Sequence, residues 1–237
     1  MAGTGKRYQS LASKRDDQMS YKLSEALELV KQTGTAKFDE TIELHLKTGA
    51  DPRHADQMLR GIAILPHGTG KDVRILVFCE GDAIDIARDA GAEYVGSDEL
   101  IKDVEGGWLE FDVSIATPDM MGKISKLGRI LGRKGLMPNP RTGTVVPPDD
   151  IARTVEDSKK GRIEFKLDRN AIVHVPIGKA SFEEQKLLEN LATLMDTLLR
   201  AKPTGIKGDF LKTAFLTTTM GPSVSLDIAD LSNLEVK

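Results

Sequence analysis

A basic, glycine-rich run in the middle of the chain has the residue types best suited to contacting phosphate groups. From Gly122 to Pro148 the sequence has six lysine or arginine residues and no aspartate or glutamate. On an exposed loop these cations would attract the backbone of a nucleic acid. A solvated loop that covers the end of a sheet would explain the same composition. The candidate residues are Lys123, Lys126, Arg129, Arg133 and Lys134.

A second candidate segment places hydroxyl groups just before a glycine. Threonine hydroxyls can bond phosphate oxygens or ribose 2′-hydroxyl groups, and glycine lets another backbone come close. Threonine also favours strands for purely structural reasons, so RNA contact and plain strand formation are both open. The candidate residues are Thr217, Thr219, Met220, Gly221 and Ser223.

Two lysines and one aromatic residue complete the set of candidate contacts. Lys37 and Phe38 begin a predicted strand, where an exposed ring could stack on a base or a sugar, or else belong to the core. Lys179 precedes a predicted helix and could meet a phosphate together with the helix N-terminus, or simply be solvated.

The sequence motifs give little support for nucleotide binding, metal binding or nucleophilic catalysis. Residues 67–71 are His-Gly-Thr-Gly-Lys, but a phosphate loop follows a strand and opens a helix, whereas this run precedes a strand. Cys79 sits in an apolar run, which is typical of a buried side chain. The four histidines are not at metal-ligand spacing with a cysteine or with another histidine. We therefore predict no catalytic residue, no metal and no cofactor; the histidines are His45, His54, His67 and His174.

An enzyme is the main alternative from the residues alone. An α/β enzyme would have a small-molecule site at the end of a parallel sheet. Asp82, Asp85 and Asp89 could supply its acid and base groups, although their i, i+3, i+7 spacing suits an exposed helix face equally well. A purely structural assembly protein, without exchange or regulation, is a third interpretation.

The bulk composition indicates a soluble globular chain of two domains. It has 237 residues, 40% of them hydrophobic, one cysteine and a formal net charge of −3. The length suits two domains, and no run approaches the roughly 20 apolar residues that span a bilayer. The N-terminus does not resemble a secretory signal, so we expect a cytoplasmic protein without membrane contact. The negative charge argues mildly against binding dominated by phosphate contacts.

Alternating hydrophobic patterns occur near both ends of the chain. From Phe38 to Lys47 the pattern has a period of two, with Ile42, Leu44 and Leu46 on one side and polar residues on the other. This pattern predicts a strand with one buried and one polar face. A capping-box pattern at Ser181 opens a predicted helix that runs to about Ala201. The other elements predicted there are an extended tail at 1–20, a helix ending at Gly34, a helix from Asp51 to about Arg60, a hairpin at 163–167 and 172–177, and strands at 213–220 and 224–228.

The middle of the chain has a different pattern. Val73 to Cys79 is a continuous apolar run, which is typical of a strand buried on both faces. A helix at about 82–90, a strand at 94–95, a helix from Ser97 and a strand at 111–116 follow it. This alternation predicts a parallel sheet with right-handed crossovers.

Together these patterns predict an α/β chain with two domains. The alternating strands are natural partners for burying their apolar faces, because a lone hairpin is marginally stable. Residues 1–66 and 160–237 are therefore predicted to form one discontinuous α+β domain with a mainly antiparallel sheet. Residues 67–159 are predicted to form an inserted, Rossmann-like parallel α/β domain. Two chain crossings so close together predict a hinge.

Four segments resemble the signature of the large-subunit ribosomal protein L1 family, in its bacterial form. They occur in the family's order and span nearly the whole chain. The segments are LPHGTGK at 65–71, GRILGRKGLMPNP at 128–140, VPIGKASF at 175–182 and TTMGPS at 218–223.

The resemblance implies a non-enzymatic RNA-binding protein of the ribosome with a split two-domain fold. The family binds the stalk of the large-subunit ribosomal RNA near the exit site, and it moves with that stalk as deacylated transfer RNA leaves. Its free protein also represses its own operon by binding a similar messenger RNA structure. The implied partners are these three RNAs, and we expect a monomer when no RNA is bound.

The resemblance also implies that the split domain has the main RNA site. The basic run of the inserted domain is not the family's principal contact. Asp39 and Glu43 near the site would repel phosphates unless they accept hydrogen bonds, so we predict a shallow salt dependence. The site residues matched by motif are Phe38, Thr41, His174, Lys179, Thr219, Met220 and Gly221.

Overall fold

Two kinds of β-sheet form in this chain, and they correspond to the two hydrophobic patterns of the sequence. The computed structural model describes residues 5–16, 19–206 and 208–234. Within them lie an antiparallel four-stranded sheet, a separate parallel three-stranded sheet and a two-stranded sheet. Helices accompany these sheets, so the predicted α/β fold class is confirmed.

Strands and helices follow one another with short connections. The strands are β1 (Thr41–Thr48), β2 (Arg60–Ile64), β3 (Ile75–Phe78), β4 (Tyr94–Gly96), β5 (Val113–Ala116), β6 (Arg162–Lys166), β7 (Ile172–Lys179), β8 (Leu211–Thr218) and β9 (Val224–Ser225). The helices are α1 (Lys6–Ala12), α2 (Leu23–Thr33), α3 (Ala83–Asp89), α4 (Asp98–Glu105), α5 (Met121–Ile124), α6 (Gly128–Lys134), α7 (Ile151–Lys159), α8 (Glu184–Arg200) and α9 (Ile228–Ser232).

The chain divides into two compact units. Residues 1–70 together with 163–237 form the split unit, and residues 71–162 form the inserted unit.

The split unit is built on the four-stranded sheet, in the order β7-β1-β8-β9. Alternate side chains of the central strand β1, including Leu44, are buried. They join Leu27 of α2 and Leu191 of α8 in one continuous hydrophobic core. Each such side chain stabilises the fold by about 1.5–3 kcal/mol when fully buried. The intervening residues of β1 are only half-buried, so this face of the sheet is polar and accessible, as the alternation predicts.

The inserted unit holds the parallel sheet, in the order β4-β3-β5. Its central strand β3 is buried along its whole length. Leu76 and Phe78 belong to one hydrophobic cluster, whereas Ile75, Val77 and Cys79 belong to another. The strand is therefore covered on both faces, which confirms the interpretation of its continuous apolar run.

The helix predicted from Asp51 to about Arg60 is wrong. The Asp51 carboxylate accepts a hydrogen bond at 2.9 Å from the backbone N–H of Arg53, two residues on, and so closes a turn. A short 3-10 turn follows at Ala55–Gln57, and the chain then enters strand β2, which the sequence analysis missed.

The predicted hairpin at 163–177 is also incorrect as a paired unit. Strand β6 pairs with β2, whereas β7 pairs with β1, and a single bridge joins Leu167 to Val173. Strands β2 and β6 are closely packed, since a Cβ on Gly61 of β2 would lie 2.4 Å from the Phe165 ring of β6.

Three further expectations at element ends need correction. Helix α8 begins at Glu184, and Ser181 does not cap it because its hydroxyl donates to Asp39 instead, at 2.6 Å. The last predicted strand stops at Ser225, since Asp227 caps helix α9 by accepting from the N–H of Ala229. Part of the expected N-terminal tail forms helix α1, while residues 1–4 and 17–18 lie outside the described residues.

Candidate nucleic-acid interface

Most of the candidate contacts of the split unit meet where three strands end side by side. Strand β1 starts at Thr41, and because its neighbours run antiparallel to it, β7 and β8 finish beside that start. Thr41 is paired with Lys179, and the backbone N–H of Thr219 donates to the Thr41 carbonyl at 3.1 Å. We call this group the strand-end cluster; it comprises Phe38, Thr41, Lys179, Thr219, Met220 and Gly221.

Hydrogen bonds fix the polar members of the cluster. The Thr41 N–H donates to the Thr219 hydroxyl oxygen at 3.0 Å, and the Lys179 ammonium donates to the Thr41 hydroxyl oxygen at 3.0 Å. Lys179 is thereby held against the sheet edge. The Thr41 hydroxyl accepts from Lys179 and keeps its own hydrogen for a further acceptor, such as a phosphate or ribose oxygen.

Two large apolar side chains of the cluster point into solvent. Phe38 is 55% exposed and Met220 is 50% exposed. Large apolar side chains exposed together are a common feature of surfaces that bind a partner. An aromatic ring beside hydroxyl groups and a lysine is suited to stacking on a base or a sugar.

A buried carboxylate lies beneath the two exposed side chains. Glu40 is 1% exposed, and its carboxylate accepts from the N–H of Ala36 at 2.8 Å and from the N–H of Met220 at 2.9 Å. Burial by itself would raise the pKa of Glu40, but the two amide donors, the Thr218 hydroxyl and the charge of Arg7 outweigh it and hold that pKa below its usual value.

Neither Glu40 nor Arg7 was predicted from the sequence as a functional residue. The period-two pattern contained the signal for Glu40, because position 40, one residue before β1, is in phase with the buried positions 42, 44 and 46 of that strand. Arg7 lies on helix α1, in a segment expected to be an extended tail. Its guanidinium donates to the Thr35 hydroxyl and to the Met220 carbonyl, both at 3.0 Å.

Gly221 is explained by packing within the protein. A Cβ at this position would lie 2.3 Å from the Thr218 hydroxyl oxygen and 3.2 Å from that of Thr33. Any side chain would therefore collide with its own neighbours. This contact accounts for the glycine without the close approach of an RNA backbone that the sequence analysis considered.

Four predicted contacts lie around the cluster or away from it. Lys37 is exposed next to Phe38, and Ser223 is half-buried beyond the turn. The half-buried Thr217 donates its hydroxyl hydrogen to the carbonyls of Thr218 and Gly221, at 2.9 and 3.3 Å. His174 shares the open face of the sheet but pairs with His45, four residues along β1 and so about 13 Å from the start of that strand.

The acidic residues near the cluster are partly occupied by protein donors. Asp39 accepts from the N–H of Ser181 at 3.1 Å and from its hydroxyl at 2.6 Å. Glu43 lies 3.8 Å from the ring of His45. These two bonds hold the Asp39 carboxylate in place, one at each oxygen, but they do not cancel its formal charge, so an acidic group remains beside any phosphate-bearing partner.

Comparison with family models matches residues 29–222 to the Ribosomal protein L1p/L10e family. The chain belongs to this family. The protein "Large ribosomal subunit protein uL1" of Dehalococcoides mccartyi (strain CBDB1) is 55% identical over 232 residues, which are 98% of each chain. The protein of the same name from Chloroflexus aggregans (strain MD-66 / DSM 9485) is 52% identical over 233 residues, again 98% of each chain. The family resemblance of the four sequence segments is confirmed, and the strand-end cluster lies within the matched residues.

The basic run of this family member is mostly helical and not the loop that we expected. Helices α5 and α6 and a 3-10 turn at Ser125–Leu127 occupy it, because Ile124, Leu127 and Leu131 are buried against the inserted sheet. Lys123 pairs with Glu80 and, at 3.4 Å, with Asp98, so its charge is already compensated. Within the described parts of the chain, no ion pair involves the four exposed residues Lys126, Arg129, Arg133 and Lys134.

The described residues add little support for metal binding or for acid–base catalysis. Among residues 5–16, 19–206 and 208–234, no group of three or more His, Cys, Asp or Glu side chains could hold a metal ion. Asp82, Asp85 and Asp89 are exposed at helix α3. In the same described residues no helix is long and apolar enough to cross a membrane.

Proposed function

We propose that this chain is a structural constituent of the large ribosomal subunit that binds the stalk of the large-subunit ribosomal RNA near the exit site. Family membership supports this proposal, and so does the printed name of the relatives that align over 98% of its length. The RNA-reading surface is the strand-end cluster of the split unit, with Lys37, Thr217 and Ser223 at its border. This role places the protein on ribosomes in the cytoplasm.

The observation that carries the proposal is the paired exposure of Phe38 and Met220. Both side chains stand beside the hydroxyl groups of Thr41 and Thr219, which can bond ribose and phosphate oxygens. This combination suits single-stranded or distorted RNA, where unstacked bases are available to an aromatic ring. An enzyme pocket would instead enclose its ligand.

The charges of the cluster favour recognition by shape and hydrogen bonding over phosphate clamping. Lys37 and Lys179 are offset by Asp39 and the buried Glu40. Each neutralised phosphate contributes a slope of about −0.7 to −0.9 in log affinity against log salt. A cluster with so few free cations therefore gives a shallow slope.

Two further roles belong to the same proposal. The protein moves with the RNA stalk and assists the release of deacylated transfer RNA from the exit site. When free, it binds a similar structure in its own operon's messenger RNA and represses translation. The exposed basic residues of the inserted unit supply a secondary RNA contact: Lys126, Arg129, Arg133 and Lys134, with the ion-paired Lys123 contributing least.

The decisive experiment measures binding of the purified chain to a stalk RNA fragment and to a scrambled hairpin across a salt series. We expect selective binding with a shallow salt slope. The variants Phe38→Ala, Met220→Ala and Thr219→Ala with Met220→Ala should each weaken binding to the stalk RNA. Equal binding to both RNAs, with a steep slope and no effect of these variants, would move the site to the basic run.

Matched controls come from apolar side chains exposed elsewhere in the split unit. Met58 is 51% exposed, nearly the same as Met220, and Leu199 is 38% exposed. Met58→Ala and Leu199→Ala should leave RNA affinity unchanged. Ribosomes that lack the protein should release deacylated transfer RNA more slowly, and a reporter fused to the operon leader should lose repression with Met220→Ala.

A further inference from the structure

The strand-end cluster is assembled from two separate loops that share one buried carboxylate. The loop before β1 presents Phe38, and the turn after β8 presents Met220. One Glu40 oxygen accepts from the N–H of Ala36 in the first loop, and the other accepts from the N–H of Met220 in the second. Each oxygen thus serves one loop.

A second bridge joins the same two loops from outside. The Arg7 guanidinium donates one hydrogen bond to Thr35 and another to the carbonyl of Met220. Arg7 is also close enough to favour the ionised form of Glu40. The backbone of Met220 is therefore held at both ends of the residue, by a carboxylate through its N–H and by a guanidinium through its carbonyl.

A buried acid is an unexpected residue under a surface that binds RNA. Taking a carboxylate out of water is costly, and its charge repels phosphates. Glu40 is 1% exposed, so RNA seated on the cluster does not reach it directly. Its two charge-assisted hydrogen bonds instead specify where the loops sit, and such bonds are about twice as strong as neutral ones.

We propose that Glu40 is a positioning residue for RNA binding: its carboxylate fixes the spacing between Phe38 and Met220, and so preorganises the interface without touching RNA. This inference rests on the proposed function of the strand-end cluster. Preorganisation strengthens binding because the loops need not be ordered when the RNA arrives.

The proposal predicts an effect opposite to that of simple electrostatics. Glu40→Gln removes a negative charge, which by itself would strengthen RNA binding. The glutamine amide, however, has one acceptor oxygen and an NH₂ group that cannot accept from a backbone N–H. One of the two loops is therefore released, and we expect the affinity for the stalk RNA to fall about tenfold.

Glu28→Gln is the matched control for charge. Glu28 is exposed on helix α2, outside the strand-end cluster, and its carboxylate accepts a hydrogen bond from the Gln32 side chain at 3.2 Å. Removing its charge should leave RNA affinity unchanged or raise it slightly. The proposal would be overturned if Glu40→Gln bound the stalk RNA as tightly as the unaltered chain. It would also be overturned if both glutamine variants bound the stalk RNA more tightly by the same factor.

A structural readout separates positioning from general loss of stability. In the unaltered chain, the amide hydrogens of Ala36 and Met220 should be protected from exchange. In Glu40→Gln at least one of them should lose protection, while amides in the centre of β1 keep theirs. Weaker RNA binding with both amides still protected would show that Glu40 acts in another way, and would refute the proposal.

A second variant covers the case in which Glu40→Gln does not fold, and the unaltered chain shows whether the proposed function itself fails. If Glu40→Gln does not fold, Glu40→Asp provides the test, because it retains the charge but is one methylene too short to reach both amides, and should also bind more weakly. Full affinity of Glu40→Asp would overturn the proposal. Failure of the proposed function appears in the unaltered chain, as unselective binding that Phe38→Ala does not change.

Discussion

His45 and His174 face each other across neighbouring strands, with their Nδ1 atoms 2.8 Å apart. They are partners in the β1–β7 register, and their other ring nitrogens lie 3.8 Å from Glu43 and 3.6 Å from Asp168. A hydrogen bond between the facing nitrogens requires that one of them has no hydrogen. The two imidazoles therefore cannot both be charged in this arrangement.

The histidine pair should make stability depend on pH. Burial and the neighbouring His174 lower the pKa of His45, and Glu43 offsets this only in part. The unfolded chain keeps an ordinary histidine pKa of about 6.5, so below that pH the unfolded state binds more protons and the free energy of unfolding falls. A nuclear magnetic resonance titration should give His45 a pKa below the usual histidine range. The substitution His174→Gln should raise the pKa of His45. An unchanged His45 pKa in His174→Gln would contradict the repulsion.

Gly221→Ala should destabilise the split unit through one defined collision. The new Cβ would lie 2.3 Å from the hydroxyl oxygen of the buried Thr218. Overpacking of this kind costs about 1–3 kcal/mol. Adding Thr218→Ala should recover part of the loss, since it removes the colliding atom. Urea unfolding of the two single variants and the double variant measures this coupling; strictly additive effects would be the contrary result.

Gly132→Ala should stabilise the inserted unit. Gly132 lies within helix α6, and a Cβ there would have no atom within 4 Å, so alanine should gain about 0.5–1 kcal/mol. Gly135→Ala is the matched control, because it too has open space but adopts a φ of 73° at the end of the helix. It should lower the melting temperature. A gain of stability in both variants would show that backbone conformation does not govern these sites.

Neutralising the basic run should change the salt dependence of RNA binding and not its selectivity. Arg129→Gln with Arg133→Gln removes two exposed cations and should reduce the slope of log affinity against log salt by up to about 2. Lys123→Gln should have a smaller effect, because Glu80 and Asp98 already compensate this lysine. A large loss of selectivity in the double variant would instead assign base recognition to the inserted unit.

The sequence predicted the layers of the fold better than the partners of its strands. Periodicity identified β1 and β3 and the buried or open state of their faces, because alternation reports directly on which side chains meet water. It could not show that β6 pairs with β2, since pairing depends on contacts such as that of Gly61 with Phe165, which are distant in the chain.

Residue types and family motifs predicted the candidate site, but they did not predict the residues that hold its loops in place. Phe38, Met220 and the threonines could be proposed because their side chains suit RNA, and the structure brings them together at the ends of three strands. Glu40 and Arg7 have residue types that indicate nothing by themselves. Their importance comes from two loops separated by about 180 residues, which no local pattern reports.

Cys79 gives the inserted unit a natural reporter of its own opening. It is fully buried beside β3, and burial raises the pKa of its thiol to about 11. At neutral pH the folded chain therefore presents almost no thiolate to a reagent. As the chain has one cysteine, alkylation of a thiol requires local unfolding that exposes Cys79. The alkylation rate of the purified chain therefore reports how often the inserted unit opens at Cys79.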